Sequence, residues 1–244
     1  MLNEVTDWIY IMPPYHKTDR PALGLVCGDK YSLIIDSGIS PNHAKEFLNE
    51  CRHLNTSPLK YLILTHPHYD HILGINEMKL LTIAHEKITE EINKMKSYKW
   101  DDLSIEQNVK KSLISEFAME CIMAENEHIE TLYIGDVDLS FTEFIKIDLG
   151  GITCEINVVE NPHFDGSALI YIPEKKVLFM GDCIYGRRYN GIYGYNKEKY
   201  LNLKEAVSSY DADYYVIAHE DNVLNNKMIE DLWLKIEKEG TFFI

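Results

Sequence analysis

Leu62-Ile63-Leu64-Thr65-His66-Pro67-His68-Tyr69-Asp70-His71 is an apolar run that passes straight into four metal-ligating side chains within six positions. A strand ending at Leu64 is rigid, and the loop beyond it is free to curl. Alternate residues His66 and His68 fall on one side of an extended chain, while a turn at Tyr69 lets Asp70 and His71 face a neighbouring point. One loop can thus feed two adjacent cation sites. Four ligands are too few for two cations that keep an open position, and the chain offers three more after strand-like runs. These are His163 after Val158-Val159-Glu160, Asp182 after Val177-Leu178-Phe179-Met180-Gly181, and His219 after Tyr215-Val216-Ile217-Ala218. Strand ends in layered folds share a rim, so the seven side chains are expected at one edge of the molecule.

The rest of the chain fits a layered fold. Short apolar or alternating runs at 8–12, 22–27, 31–35 and 59–64 end in Gly, Pro, Asp or Asn and read as strands. Ser40-Pro41 is a serine cap with proline at the first helical position, and Ala44, Phe47, Leu48 and Cys51 follow at helical spacing over 42–54. After one more strand at 80–84, the stretch from about 86 to 130 turns Lys-, Glu- and Met-rich, with Leu113, Phe117, Ala118, Cys121 and Ile122 three and four apart, and predicts two or three helices. Strands at 145–149, 152–159, 168–172 and 177–180, a helix at 201–209, a strand at 214–218 and a helix at 223–239 complete a second half that repeats the element order of the first. This order argues for sheets covered by helices, an α/β or α+β sandwich.

At 244 residues the chain is long enough for one full-sized core, and a single domain over 1–244 is expected. Its 45% hydrophobic and 26% charged content excludes disordered and low-complexity classes. The net charge of −15 repels phosphate backbones, which argues against a long nucleic acid as partner. The opening Met1-Leu2-Asn3-Glu4-Val5 lacks the basic and apolar regions of a secretory signal, and no apolar run approaches the ~18 residues of a membrane span, so a cytoplasmic protein is expected. The five cysteines, Cys27, Cys51, Cys121, Cys154 and Cys183, contain no C-x-x-C pair and suggest neither a disulfide framework nor a thiolate zinc site. Cys183 adjoins Asp182, but on an extended segment it points the other way and is read as structural.

The loop H-x-H-x-D-H with its later His, Asp and His resembles the metallo-β-lactamase superfamily, in its hydrolase branch that includes glyoxalase II, lactonases and phosphodiesterases. The resemblance covers most of the chain and implies a four-layer αβ/βα sandwich with a helical insertion at about 86–130, whose role is a lid or substrate wall, a dimer surface or a solvated packing layer. It implies that His66, His68 and His163 hold one metal ion, that Asp70, His71 and His219 hold a second, and that Asp182 bridges both. Asp36, in Ile34-Ile35-Asp36-Ser37-Gly38, matches an early aspartate of the family that accepts a hydrogen bond from a ligand histidine and so fixes its ring. Around the third histidine this chain departs from the family's Pro-Gly-His-Thr-Pro-Gly-Ser with Asn161-Pro162-His163-Phe164-Asp165-Gly166-Ser167, which places an extra carboxylate, Asp165, near the site.

Histidine and carboxylate ligands suit zinc, with manganese and iron as competitors. Two such divalent ions trap a hydroxide between them at neutral pH, and this bridging hydroxide is expected to attack a small ester, thioester, lactone or phosphodiester. Asp70 is the candidate to take the proton of the attacking water. In the loop after Asp182, Tyr185 is the candidate donor to an oxyanion, a part that a tyrosine at a similar position plays in some lactonases of the superfamily, and Arg187 or Arg188 is the candidate receiver of an anionic substrate group. The alternative is a dinuclear-iron redox or gas-binding module on the same scaffold. That branch usually carries glutamate where this chain has His68, which favours hydrolysis.

Overall fold

The computed structural model describes residues 1–98, 100, 109 and 114–243. Strands β1 (Asn3–Thr6), β2 (Ile9–Met12), β3 (Leu23–Cys27), β4 (Ser32–Ile35), β5 (Leu59–Ile63), β6 (Leu81–His85) and β7 (Leu139–Phe141) form one sheet in chain order. The pairings up to β4 are antiparallel and those from β4 to β7 are parallel. A second sheet contains β8 (Phe144–Asp148), β9 (Thr153–Val159), β10 (Ser167–Ile172), β11 (Val177–Gly181), β14 (Tyr214–Ile217) and β15 (Leu224–Asn225), in the order β15-β14-β11-β10-β9-β8. A small third sheet joins β12 (Arg187–Tyr189), β13 (Ile192–Asn196) and β16 (Phe242–Phe243).

Side-chain alternation sorts the core into three apolar layers. Leu33, Ile35, Ile63 and Ile83 of the first sheet meet Ile156, Ile170, Phe179 and Val216 of the second. Their neighbours Ile34, Leu62 and Ala84 point the other way, onto helices α1 (Pro41–Arg52), α4 (Glu86–Met95) and α5 (Glu116–Glu125). On the far side Leu169, Leu178 and Ile217 pack beneath α6 (Lys197–Ser208) and α7 (Asn226–Glu239), which contribute Leu203 and Trp233. The result is the expected four-layer αβ/βα sandwich. Each fully buried side chain of this kind contributes roughly 1.5–3 kcal/mol. Among the described residues no helix is long and apolar enough to cross a membrane.

Helix starts follow local chemistry. Ser40 caps α1 by accepting from His43 N at 3.0 Å, with proline at the first helical position as the sequence predicts. Ser115, Asn196 and Asn225 cap α5, α6 and α7 in the same way. Of the helical segment expected at 86–130, α4, α5 and a 3₁₀ turn at Ile129–Thr131 are observed, while 99, 101–108 and 110–113 lie outside the described residues. Two expectations change. The stretch after Asp182, read as a loop, is a hairpin of β12 and β13 closed by Asn190 and Gly191, both at positive φ, and steadied by parallel pairing with β16. The turn at Tyr69 is a short helix, α2 (Tyr69–Ile72), followed by α3 (Ile75–Met78).

Strand ends of both sheets are stitched into one rim. Ala168 N donates to Thr65 O at 2.8 Å, Ala218 N to Gly181 O at 3.0 Å, and Ala22 N to Ala218 O at 2.7 Å. Gly181 is required there, because its φ is +52° and a Cβ would lie 2.7 Å from Thr65 Oγ1.

Candidate metal centre

His66, His68, His163 and Asp182 offer ligand atoms that all lie within 4.8 Å of one another, and so do Asp70, His71, Asp182 and His219. All seven residues expected at the rim are therefore brought together, with Asp182 common to both groups. In the first group His68 presents Nδ1, 2.9 Å from His163 Nε2, and Asp182 Oδ2 lies 3.7 Å from His66 Nε2 and 3.5 Å from His163 Nε2. In the second, Asp70 Oδ2 lies 3.1 Å from Nε2 of both His71 and His219. Asp182 reaches into this group too, with Oδ1 3.6 Å from His71 Nε2 and Oδ2 3.5 Å from His219 Nε2.

Local structure explains these placements. His66 and His68 follow β5 on extended backbone, and α2 then rotates Asp70 and His71 to the same rim. His163 is set by Asn161, whose Oδ1 accepts from His163 N at 2.9 Å and Phe164 N at 3.0 Å while its Nδ2 donates to Val159 O and Phe164 O. Asp36 Oδ2 lies 2.7 Å from His71 Nδ1. It also accepts from Thr65 N at 2.8 Å and Thr65 Oγ1 at 2.7 Å, which accounts for its left-handed φ of +61°.

The two groups differ in charge. Burial pushes the imidazoles of His66 and His68 down, and that of His163 to about 3, so these three are neutral with free lone pairs. Burial also opposes charge in the second group but is outweighed. Asp70, Asp36 and Asp182 hold His71 well above its ordinary value, and Asp182 and Asp70 hold His219 at about 10. Asp70 and Asp182 are conversely held far below the usual carboxylate range by His71 and His219. Nε2 of His66, Nε2 of His71 and Oδ1 of Asp182 are buried without a hydrogen-bond partner among the described residues. Buried polar atoms are normally paired, so three converging unpaired ones, from nitrogen and carboxylate donors, fit a pair of divalent cations.

The remaining candidates divide. The Tyr185 ring lies 6.3 Å from that of His163 and 6.1 Å from that of His219, between the two groups, and burial followed by Asp182 and Glu220 raises its pKa, keeping the hydroxyl protonated. Tyr185 also lines a cavity of about 370 Å³ together with Ile184, Tyr193, Glu220, Leu232 and Ile236 among others, none of them one of the seven rim residues. Arg187 Nε donates to Pro162 O at 3.1 Å beside His163, and its charge acts on His68. Arg188 is exposed, and its Nη1 donates to Gly191 O at 2.9 Å within the hairpin turn. Asp165 is paired with Lys199, Cys183 is buried with its thiol pushed up by burial, and His85 lies 2.9 Å from Thr142 O through Nε2. Sequence reasoning missed the positioning of His163 by Asn161, although Asn-Pro before a candidate ligand marks a turn.

The metallo-beta-lactamase superfamily model matches residues 22–219. A metallo-beta-lactamase from Pontibacter korlensis superposes with a TM-score of 0.69 at 16% identity, covering 98% of this chain and 99% of that one. A metallo-beta-lactamase family protein from Thermus thermophilus gives 0.66 at 16% identity over 96% and 81%. A stereoselective inverting sec-alkylsulfatase from a Pseudomonas species gives 0.68 at 14% identity over 96% of this chain and 40% of that one. No match is found among curated protein sequences. At such identities the structural likeness establishes the fold.

Proposed function

The chain belongs to the metallo-beta-lactamase superfamily, and from that premise we propose that it is a dinuclear metal-dependent hydrolase acting on a small ester, thioester, lactone or phosphodiester. The observation that carries this reading is the sharing of Asp182 between two complete groups of ligand atoms. His66, His68 and His163 would hold one divalent ion, Asp70, His71 and His219 the other, and Asp182 both, with zinc the best match to these donors and manganese or iron the alternatives. When bound, such ions lower the pKa of water from about 15.7 toward ~7 and polarise an electrophile's oxygen.

The chain's own groups then have separate tasks. Asp70, buried in the second group, is the acceptor for a proton leaving the attacking water. The Tyr185 hydroxyl donates to the oxygen on which negative charge develops. Arg187, half-buried beside His163, receives an anionic substrate group, a task that Arg188, exposed in the hairpin turn, is worse placed to share.

The test is a panel of chromogenic lactone, thioester, carboxylic ester and phosphodiester substrates, run on protein loaded separately with Zn, Mn or Fe. Turnover is expected for at least one class, abolished by chelation, and reduced about 10²-fold in Tyr185→Phe if the hydroxyl stabilises the oxyanion. Metal-loaded protein that turns over none of the four, or that carries iron with a visible absorption band and is redox-active, contradicts the proposal.

A further inference from the structure

His219 and His71 are the two imidazoles of the second ligand group, and each has a carboxylate facing its Nδ1. For His71 this is Asp36 Oδ2, at 2.7 Å; for His219 it is Asp19 Oδ1, at 3.8 Å. Among the described residues the first group has no such backing: His66 Nδ1 faces the Thr65 hydroxyl at 3.1 Å, His68 uses Nδ1 toward the ligand centre, and His163 Nδ1 is buried without a partner. We propose that Asp19 is a positioning residue that fixes the ring of His219 for the second metal ion, resting on the dinuclear reading above.

Asp19 is held firmly for this task. It adopts left-handed backbone at φ +56°, at the end of the 3₁₀ turn His16–Thr18, and the Tyr69 hydroxyl donates to its Oδ2, leaving Oδ1 for His219. The next residue, Arg20, donates from Nε and Nη2 to Glu125 of α5 at 2.8 Å each and from Nη1 to Glu46 of α1 at 2.6 Å. Two more contacts tie this loop to the His219 turn: His16 Nε2 lies 2.8 Å from Asp221 Oδ1, and Ala22 N donates to Ala218 O at 2.7 Å. The described part of the helical insertion therefore braces a loop that carries a supporting carboxylate. Carboxylates behind ligand histidines set ring orientation and raise basicity, and losing one typically costs about 10–100-fold in metal affinity.

The experiment is competition between the whole protein and a chromogenic chelator for Zn²⁺, resolving the two affinities, with Co²⁺ spectra as a second readout. In Asp19→Ala the affinity for the second ion is expected to fall about 10–100-fold with the first unchanged. Asp19→Asn, which keeps an acceptor without the charge, should fall between alanine and wild type. Tyr69→Phe, which leaves the carboxylate but frees it, gives an independent check with a smaller loss at the same ion. Wild-type affinities at both sites in Asp19→Ala, or an equal loss at both, overturn the role of Asp19 while leaving the dinuclear reading intact. A wild-type protein that takes up fewer than two ions overturns both.

Discussion

His43 lies fully buried in the first turn of α1, and neither of its ring nitrogens has a hydrogen-bond partner among the described residues. Burial, reinforced by Arg20, holds its pKa at about 3. The unfolded chain titrates this imidazole near its ordinary ~6.5, so the unfolded state binds the extra proton and stability falls as pH drops below about 6.5. A buried unpaired polar group costs about 1–3 kcal/mol, and His43→Leu removes it with little change of volume. The variant's apo form is therefore expected to melt at the same or a higher temperature at neutral pH, and to lose less on acidification to about pH 5 than the wild type. A lower melting temperature with an unchanged acid slope in thermal scans would show that the ring has a partner. At this scale the seven candidate ligands were readable because histidine and aspartate at strand ends have few other uses in that pattern. His43 and Asp19 were not, since their surroundings come from distant parts of the chain.

Helix α5 is anchored through Glu125, which accepts from Arg20, Thr18 and Ser40 while 8% exposed. Burial would raise this carboxyl, but hydrogen bonds from Arg20 and Thr18 overcome it and hold its pKa below the ordinary value. Ionised Glu125 thus contributes stability above the unfolded pKa of about 4.5, and that contribution is lost as pH falls through the lower folded value. Glu125→Ala leaves Arg20 with Glu46 alone, and a loss on the order of 2–3 kcal/mol is expected in denaturant unfolding, with a shallower acid dependence than wild type. A change under about 0.5 kcal/mol would mean that the pair is surface-like and braces nothing. Helices with strong caps, such as α1, and the buried strands were legible because the signals are local. The β12–β13 hairpin and its pairing with β16 were not, because strands of three, five and two residues, the last paired from across the chain, leave too little periodicity to read.

Across the whole molecule, two sheets meet through a shared apolar layer and deliver their strand ends to one rim, so the centre depends on the docking of both halves. Cations bound there favour the folded state by mass action, and chelation is expected to lower the melting temperature while Zn²⁺ restores it; no shift would mean that the rim binds no ion tightly. The layered architecture was visible in the order of strands and helices, whereas the bracing of the rim by the loop at Asp19 required the assembled coordinates. The most direct test of the central claim is anomalous diffraction at the zinc edge from crystals grown with Zn²⁺. Two peaks are predicted, one among His66, His68 and His163 and one among Asp70, His71 and His219, with Asp182 between them. A single peak, or none at this rim, would contradict the shared two-ion centre.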